Sequence, residues 1–288
     1  MEQLPYDILE PIFTHLSLHD AFCVSLTSRN MYAHLLPYLY EKYNINKYLR
    51  KWFTRPKALL ETFRQTGAIL YGDHVLGYFV PDVRVLVKDS DWKLCVPWKY
   101  KNAIRNELLR QEFVLESWED RFWGHGPERS SYHYHNSQGI RIHVQTVENC
   151  TLYDWIITAR RGTFETSADM NIISGWGSAS MYWKALCYRY GWLLVAKSGL
   201  PLSLGGSDCW RRKYYTRKVL VERCLKKGIR LVEPPSDCRD LDDDAFAVYF
   251  HSMGKKNTHP LYFPLKGLEM ELVGTCWTSE EKSKKIWR

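Results

Sequence analysis

Two short segments carry residue types that hold metal ions in many proteins. Asp91 and Lys93 lie at the start of an apolar segment, and Gly72-Asp73 follows the apolar residues 68–71. Two carboxylates at positions i and i+2 of a strand share one face and can bind Mg²⁺ together. Here the second position is Lys93, whose ammonium group cannot coordinate a cation and repels it. This spacing therefore predicts no metal site.

An alternative register would pair Asp89 with Asp91. It would also place Lys88 and Ser90 on the face of the strand that should be apolar. We therefore prefer a strand over residues 92–96, with the polar face that Asp91 begins.

The third polar segment is residues 140–144, which alternate between apolar and polar side chains and predict a strand. Its outward positions are Arg141 and His143, followed by Gln145, and none of the three is acidic. A metal-dependent enzyme that lost these ligands would lose most of its rate, several kcal/mol of barrier.

Together, the three segments resemble the core of a nucleotidyltransferase. In that family, a strand ends in glycine followed by serine or glycine, and the next strand carries an acid-x-acid pair. The resemblance covers residues 67–190 and implies a scaffold without transferase activity, because the second and third acids are missing. It implies a cleft formed by six residues, Gly72, Asp73, Asp91, Lys93, Arg141 and His143.

Histidines are concentrated in a predicted hairpin. Residues 132–135 and 140–144 alternate in polarity, and Gly139 suits the left-handed position of a three-residue loop between them. The register pairs His133 with His143, and one hypothesis is that these two side chains bind zinc. No cysteine or carboxylate is placed to complete a metal shell, and we expect neither metal nor cofactor. The alternative is a basic cleft that binds an acidic peptide, a phosphate or RNA.

The first 45 residues predict a compact module of three helices. Apolar residues recur at the helical spacing from Leu9 to Leu16, and Pro5 suits the first turn of that helix. Pro11 removes a backbone donor and predicts a kink or a short first helix. A break with capping side chains is expected at 17–20.

This segment resembles an F-box. The resemblance is carried by the opening Leu4-Pro5, Asp7, the Ile12-Phe13 pair, Asp20 and the triplet Thr27-Ser28-Arg29. It implies that the module binds a Skp-type adaptor of a cullin ubiquitin ligase, by docking a helix into a groove. The expected contact residues are Leu4, Pro5, Ile8, Leu9, Ile12, Phe13 and Leu16. Fungal F-box proteins sometimes carry a nucleotidyltransferase-like domain, so the two resemblances are compatible.

The pattern predicts an α+β chain that begins with the three-helix F-box. We expect the F-box over 1–45, a helical linker over 46–66 and a mixed α/β nucleotidyltransferase-like domain over 67–288. Further expected elements are strands at 68–71, 83–87 and 113–115, helices at 73–79 and 99–111, and a mostly helical region over 151–230 with a loop at 174–180. Trp176 in that loop is expected to fold back onto the core, with an exposed anchor as the alternative.

Composition narrows the class of protein. The 288 residues are 45% hydrophobic and 25% charged, which excludes wholesale disorder and favours a chain without a membrane span. The net charge of +8 permits acidic partners or nucleic acid. The eight cysteines form no C-x-x-C motif, and no secretory signal is visible, so we expect reduced thiols in the cytoplasm or nucleus.

Three hypotheses follow from the sequence. The first is an adaptor that links a Skp-type subunit and its cullin ligase to an unidentified protein substrate, without chemistry of its own. The second is a module that binds nucleotide or RNA, and the third is an active metal-dependent nucleotidyltransferase. Lys93 argues against the third hypothesis, because a cation at that position opposes metal binding.

Overall fold

The structure is a computed structural model that describes residues 6–16, 18–25, 27–121, 129–147, 171–180, 190–192, 219–232 and 261–264. It contains helices and a mixed sheet, which confirms the α+β class. No helix in these ranges is long and apolar enough to cross a membrane.

The first three helices form a small bundle: α1 (Tyr6–His15), α2 (Leu18–Ser25) and α3 (Arg29–Lys42). Its core consists of Leu9, Phe13, Ala21 and Leu35. Ser28 caps α3, because its hydroxyl accepts a hydrogen bond from the Met31 N–H at 3.1 Å. The Lys42 ammonium group donates to the Leu16 carbonyl at 3.0 Å and ties the end of α3 to the end of α1.

Helix α1 is not shortened at Pro11, and the break predicted after it is shorter than expected. Helix α1 continues through Pro11 to His15. Pro11 removes only the bond to the carbonyl of residue 7, close to the N-terminus of the helix, so the later turns are intact. The expected break at 17–20 is also shorter, because α2 already begins at Leu18 and Asp20 lies in its first turn.

The segment expected to be a linker contains α4 (Ile45–Leu49) and α5 (Pro56–Thr66). Both helices are part of the main core, which includes Tyr48, Leu49, Phe53, Leu60 and Phe63. The segment is therefore an integral layer of the larger domain and does more than connect two units.

Within the described residues, eight strands form one mixed sheet in the order β10-β7-β6-β1-β2-β5-β4-β3. Neighbouring strands are antiparallel except β2 and β5, which are parallel. The strands are β1 (Ile69–Tyr71), β2 (Trp92–Pro97), β3 (Val114–Arg121), β4 (Arg129–His135), β5 (Arg141–Val147), β6 (Asn171–Ser174), β7 (Gly177–Ser180) and β10 (Leu261–Pro264). A separate parallel pair consists of β8 (Tyr190–Trp192) and β9 (Arg230–Val232).

The remaining helices of the first half are α6 (Asp73–Phe79), α7 (Val83–Leu86) and α8 (Lys101–Arg110), the last preceded by a 3-10 turn at Trp98–Tyr100. The strand predicted at 83–87 is wrong, because this segment is α7. The sequence of residues 83–87 fits both the alternation of a strand and the spacing of a helix, and the burial of the side chains distinguishes the two. Val83 and Val87 are one turn apart, both are 1% exposed, and the Val87 N–H donates to the Val83 carbonyl at 3.1 Å.

The hairpin of β4 and β5 confirms the predicted register. His133 pairs with His143, Tyr134 pairs with Ile142, and Gly139 has a φ of +77°. The side chain of Asn136 closes the loop, because its oxygen accepts the N–H groups of residues 138 and 140 at 3.0 and 2.9 Å.

The region 151–230 departs from the helical prediction wherever it is described, except for residues 219–226, which are helical. The expected loop at 174–180 is a tight hairpin of β6 and β7. The Ser174 hydroxyl accepts the N–H groups of Trp176 and Gly177 at 3.2 and 3.3 Å. Gly175 lies against α5, and a Cβ there would overlap the backbone of Arg64. Trp176 is half-buried with the Arg64 guanidinium 5.5 Å from its ring centre, as the folded-back reading predicts.

Gln111 joins the supposed linker to α8. Its side-chain oxygen accepts the Arg55 N–H at 2.8 Å, and its amide donates to the Arg55 carbonyl and to Glu107 Oε1, both at 2.8 Å. Gln111 and Glu107 are 1% and 2% exposed, so their side chains have little access to water as an alternative partner.

We predict that Gln111→Ala lowers the free energy of unfolding by about 3 kcal/mol, because it leaves buried polar groups without partners. Urea unfolding measures the loss. The control is Gln65→Ala on α5, whose exposed amide donates to Glu61 at 3.2 Å and should cost less than about 0.5 kcal/mol. Equal losses for the two variants would contradict the structural role of Gln111.

Candidate functional site

The strand register gathers polar side chains on one face of the sheet. Tyr71, Lys93, His143 and His133 stand side by side on β1, β2, β5 and β4. This face is opposite to the core face of β2, because Trp92 and the next alternate residues belong to the main core. Four of the six predicted cleft residues, Asp91, Lys93, Arg141 and His143, therefore lie at neighbouring register positions.

Gly72 forms the turn between β1 and α6, with a φ of +84° that favours glycine. A Cβ at this position would lie 3.1 Å from the Cδ of Lys93. The lysine stem therefore packs directly over the turn.

Asp73 begins α6 and forms an ion pair with Lys227. The two side chains are 18% and 7% exposed, and the Ser90 hydroxyl donates to the second Asp73 oxygen at 3.3 Å. Burial by itself would raise the pKa of Asp73, but Lys227, with smaller contributions from Lys93 and Arg223, holds the pKa below its usual range. The carboxylate is ionised at neutral pH and is neutralised by its own chain.

Lys227 was not found from the sequence. It directly follows the helical residues 219–226. After it, Gly228 adopts a φ of +68°, and the Ile229 N–H donates to the Cys224 carbonyl at 2.9 Å. This is a Schellman cap, and Gly228 is its sequence signal. The signal predicts the end of a helix, but not the carboxylate that lies 154 residues away and meets the lysine.

Asp91 does not face another carboxylate. Its side chain lies 2.7 Å from the Nε of Arg141, and the same guanidinium donates to the Asp89 carbonyl at 3.3 Å. The outward positions of β5 predicted from the sequence are confirmed, since Ile142 and Val144 are buried in the core between them. Among the described residues, no group of three or more histidine, cysteine, aspartate or glutamate side chains could hold a metal ion.

The paired histidines of the hairpin stack with ring centres 4.6 Å apart and an interplanar angle of 2°. Parallel rings do not direct their nitrogens toward a common point, as two ligands of one metal ion must. His133 and His143 therefore form a stacked pair on the polar face.

His74 is a further polar residue that was not singled out from the sequence. It is 2% exposed, stacks on Trp92 at 4.4 Å, and its Nε2 lies 2.6 Å from the Ser90 carbonyl. Burial lowers its pKa, against the opposing effect of the Ser90 bond, so the ring is neutral and Nε2 donates. It lines a cavity of about 330 Å³ at the edge of the cleft with Trp52, Lys88 and Arg141.

The F-box residues divide into two stripes on α1. Leu9 and Phe13 are 3% and 1% exposed and face the bundle, whereas Ile8 and Ile12 are each 49% exposed. Both pairs have a spacing of four, but adjacent residues of a helix point about 100° apart, so the bundle covers one stripe and leaves the other in solvent. The single docking face expected from the sequence is thus corrected.

The other three expected contact residues are Leu4, Pro5 and Leu16. Leu16 is partly buried and packs against the bundle core. Leu4 and Pro5 lie outside the described residues.

Comparison with known protein families matches the start of the chain to a domain family. The model of the F-box domain family matches residues 1–36, which include α1 and α2 and the first half of α3. F-box domains bind Skp adaptors in cullin ligases, and this domain indicates a substrate adaptor of an SCF ubiquitin ligase. No curated protein and no solved structure matches the chain.

We predict that Lys227→Met destabilises the fold by about 3 kcal/mol at pH 7, because it leaves the buried Asp73 without its main partner. Chemical unfolding measures the loss, and the control is Lys226→Met at the exposed neighbouring position.

The loss should depend on pH. The folded-state pKa of Asp73 is depressed, so the ion pair stabilises fully above the unfolded pKa of about 3.9 and is lost as pH falls through the folded pKa. Without Lys227, burial raises the pKa of Asp73, so the difference between wild type and Lys227→Met should narrow as pH falls through that raised pKa and then through the depressed pKa of the wild type. A difference that stays constant down to pH 2, or an equal loss in Lys226→Met, would contradict this.

Proposed function

We propose that the chain is the substrate-recognition adaptor of an SCF-type ubiquitin ligase. The F-box binds a Skp-type adaptor, and the domain from residue 67 onward binds a target protein without covalent chemistry of its own. The complex acts in the cytoplasm or nucleus.

The observation that carries this proposal is the exposed stripe of α1. Ile8 and Ile12 leave 49% of their area in solvent, within the segment that matches the F-box family. Two aliphatic side chains one turn apart suit the helix-in-groove mode of binding. Because about half of each side chain is already buried, burial of the remainder by a partner contributes about 0.7–1.5 kcal/mol for each.

The continuous core supports a fixed geometry between the two functions. Leu39 of α3 packs against both the bundle core and the main core, and Tyr43, which follows α3, is buried in the main core. The Tyr78 hydroxyl donates to the Tyr43 carbonyl. A target held on the larger domain would keep a constant orientation toward the ligase.

We also propose that the larger domain is a nucleotidyltransferase-like scaffold without transferase activity. The support is chemical: Lys93 stands beside the glycine turn, Asp91 pairs with Arg141, and Asp73 pairs with Lys227. The carboxylates of Asp73 and Asp91 are thus each engaged by a cation of the chain. A divalent metal would have to displace those cations before it could bind.

The test is co-expression with a Skp-type adaptor, followed by size-exclusion chromatography and calorimetry. We expect a stoichiometric complex for the wild type. In the double variant Ile8→Asp with Ile12→Asp, two buried contacts become desolvated charges, and binding should weaken at least about a hundred-fold.

The matched control is Leu109→Asp on α8, which also changes a side chain that is 49% exposed but lies outside the bundle. It should bind the adaptor as the wild type does. Leu9→Asp is unsuitable, because it would place a charge in the bundle core. Unchanged binding of the double variant would refute the docking stripe, and a wild-type chain that ignores the adaptor would refute the adaptor function.

A further inference from the structure

Strand β3 forms one edge of the eight-stranded sheet, beyond β4. In the part of the chain that the structure describes, it pairs with β4 on one side and with no strand on the other. With eight residues, it is long for an edge strand, and such edges offer unpaired N–H and C=O groups to another chain.

The register with β4 assigns the side chains of β3 to the two faces of the sheet. Leu115 and Trp118 stand opposite Tyr134 and Tyr132, on the face that belongs to the main core. The residues on the polar face stand opposite His135, His133 and Ser131, and they are Val114, Ser117 and Glu119. The pairing shifts between Leu115 and Ser117, so Glu116 is the extra residue of a bulge.

The edge exposes large apolar side chains. Trp118 is 59% exposed and Val114 is 57% exposed, one on each face of the strand. Edge strands normally avoid such residues, because they promote pairing with other chains. Tryptophan is also the residue type most enriched at the energetic centres of protein interfaces.

The same strand is acidic in a chain whose net charge is +8. Its eight residues contain Glu116, Glu119 and Asp120 against one basic residue, Arg121. The Glu116 carboxylate is 57% exposed and lies 3.8 Å from the Nδ1 of His135, a long contact that leaves it largely solvated. The strand by itself therefore carries a net negative charge that attracts cations, and its Arg121 stands opposite the Arg129 of β4 at the far end.

We propose that β3 binds an extended basic segment of a partner protein, which adds as a ninth strand to the sheet. One apolar side chain of the segment packs on Trp118, and a lysine or arginine side chain on the other face approaches Glu116. The identification of this partner as the ubiquitination target rests on the proposed function; the strand-addition site does not.

This mode makes two physical demands that separate it from simple charge attraction. Main-chain hydrogen bonds supply much of the affinity, so the bound segment must have free backbone N–H groups. The carboxylates of β3 raise the association rate of a positively charged segment. Binding must therefore weaken as the salt concentration increases.

The experiment measures binding of labelled peptides to the full-length chain by fluorescence anisotropy. The probe is a ten-residue peptide of alternating lysine and valine. A second peptide has the same sequence but carries N-methyl groups on two successive central residues, so that neither of its edges forms a complete ladder. A third peptide replaces each lysine with glutamate. We expect the first to bind and the other two to bind at least about ten-fold more weakly.

Variants of the chain locate the site. Trp118→Ala and Glu116→Lys should each weaken binding of the lysine peptide about ten-fold, because they remove the apolar contact and the attracting charge. The control Leu109→Ala removes an equally accessible apolar side chain, 49% exposed, away from the edge and should change nothing. Thermal unfolding should be the same for all three variants, since each residue is exposed.

Three results would overturn the proposal. Equal binding of the N-methylated peptide would exclude strand addition, and wild-type affinity in Trp118→Ala and Glu116→Lys would exclude this edge. Sedimentation velocity gives the third: a self-association that Trp118→Ala abolishes would assign the edge to a second copy of the chain. Adaptor binding is measured in a separate experiment. A chain that does not bind the adaptor but binds the lysine peptide would refute the adaptor function and leave the strand-addition site supported.

Discussion

The burial of Trp92 is the packing constraint on which the rest of the structure depends. The side chain is fully buried on the central strand β2, and its aromatic neighbours come from α4, from the segment that follows α4 and from α6. Trp52 and Phe53, after α4, approach it with ring centres at 5.3 Å, and His74 of α6 stacks on it at 4.4 Å. Tyr48 of α4 lies at 6.3 Å. One side chain therefore joins the helical layer to the sheet.

The same burial orients the chemistry of the chain. Because side chains alternate along a strand, a core position for Trp92 places Asp91 and Lys93 on the opposite face. On that face, the carboxylates meet cations of the chain itself: Asp91 meets Arg141, and Asp73 meets Lys227. The Asp73–Lys227 pair is largely buried and is costly to break, because either partner alone would be an uncompensated buried charge, whereas Arg141 in the other pair is 59% exposed. The region is therefore better suited to a fixed scaffold than to exchange of metal ions.

Three exposed apolar side chains lie on elements that carry neither of these ion pairs. Ile8 and Ile12 are on α1, and Trp118 is on the edge strand β3. Each has the geometry of a different mode of protein recognition, a helix face in one case and a sheet edge in the other. A chain with both could hold two proteins at once, while the shared core around Leu39 and Tyr43 keeps the two surfaces in one body.

Local pattern by itself determined much of this chain. The helical spacing of Leu9 and Phe13, the alternation of the hairpin and the left-handed Gly139 gave the bundle and the β4–β5 register correctly, because each depends on neighbours within a few residues. The identity of residue 93 was enough to argue against a metal pair. The F-box was readable from order and spacing over the first 36 residues, where a family match was found.

Only the tertiary structure decided the rest, because those outcomes depend on contacts between distant parts of the chain. Residues 83–87 fit both a strand and a helix, and the burial of Val83 and Val87 on one side selected the helix. The sequence of segment 46–66 predicted a linker, but in the structure its aromatic residues pack against Trp92. The other two helices of the bundle cover Leu9 and Phe13 and leave Ile8 and Ile12 exposed. Lys227 pairs with Asp73, which is 154 residues away in the sequence. Sequence periodicity tells which side chains share a face, but the packing of distant elements determines which face is buried and which charges meet.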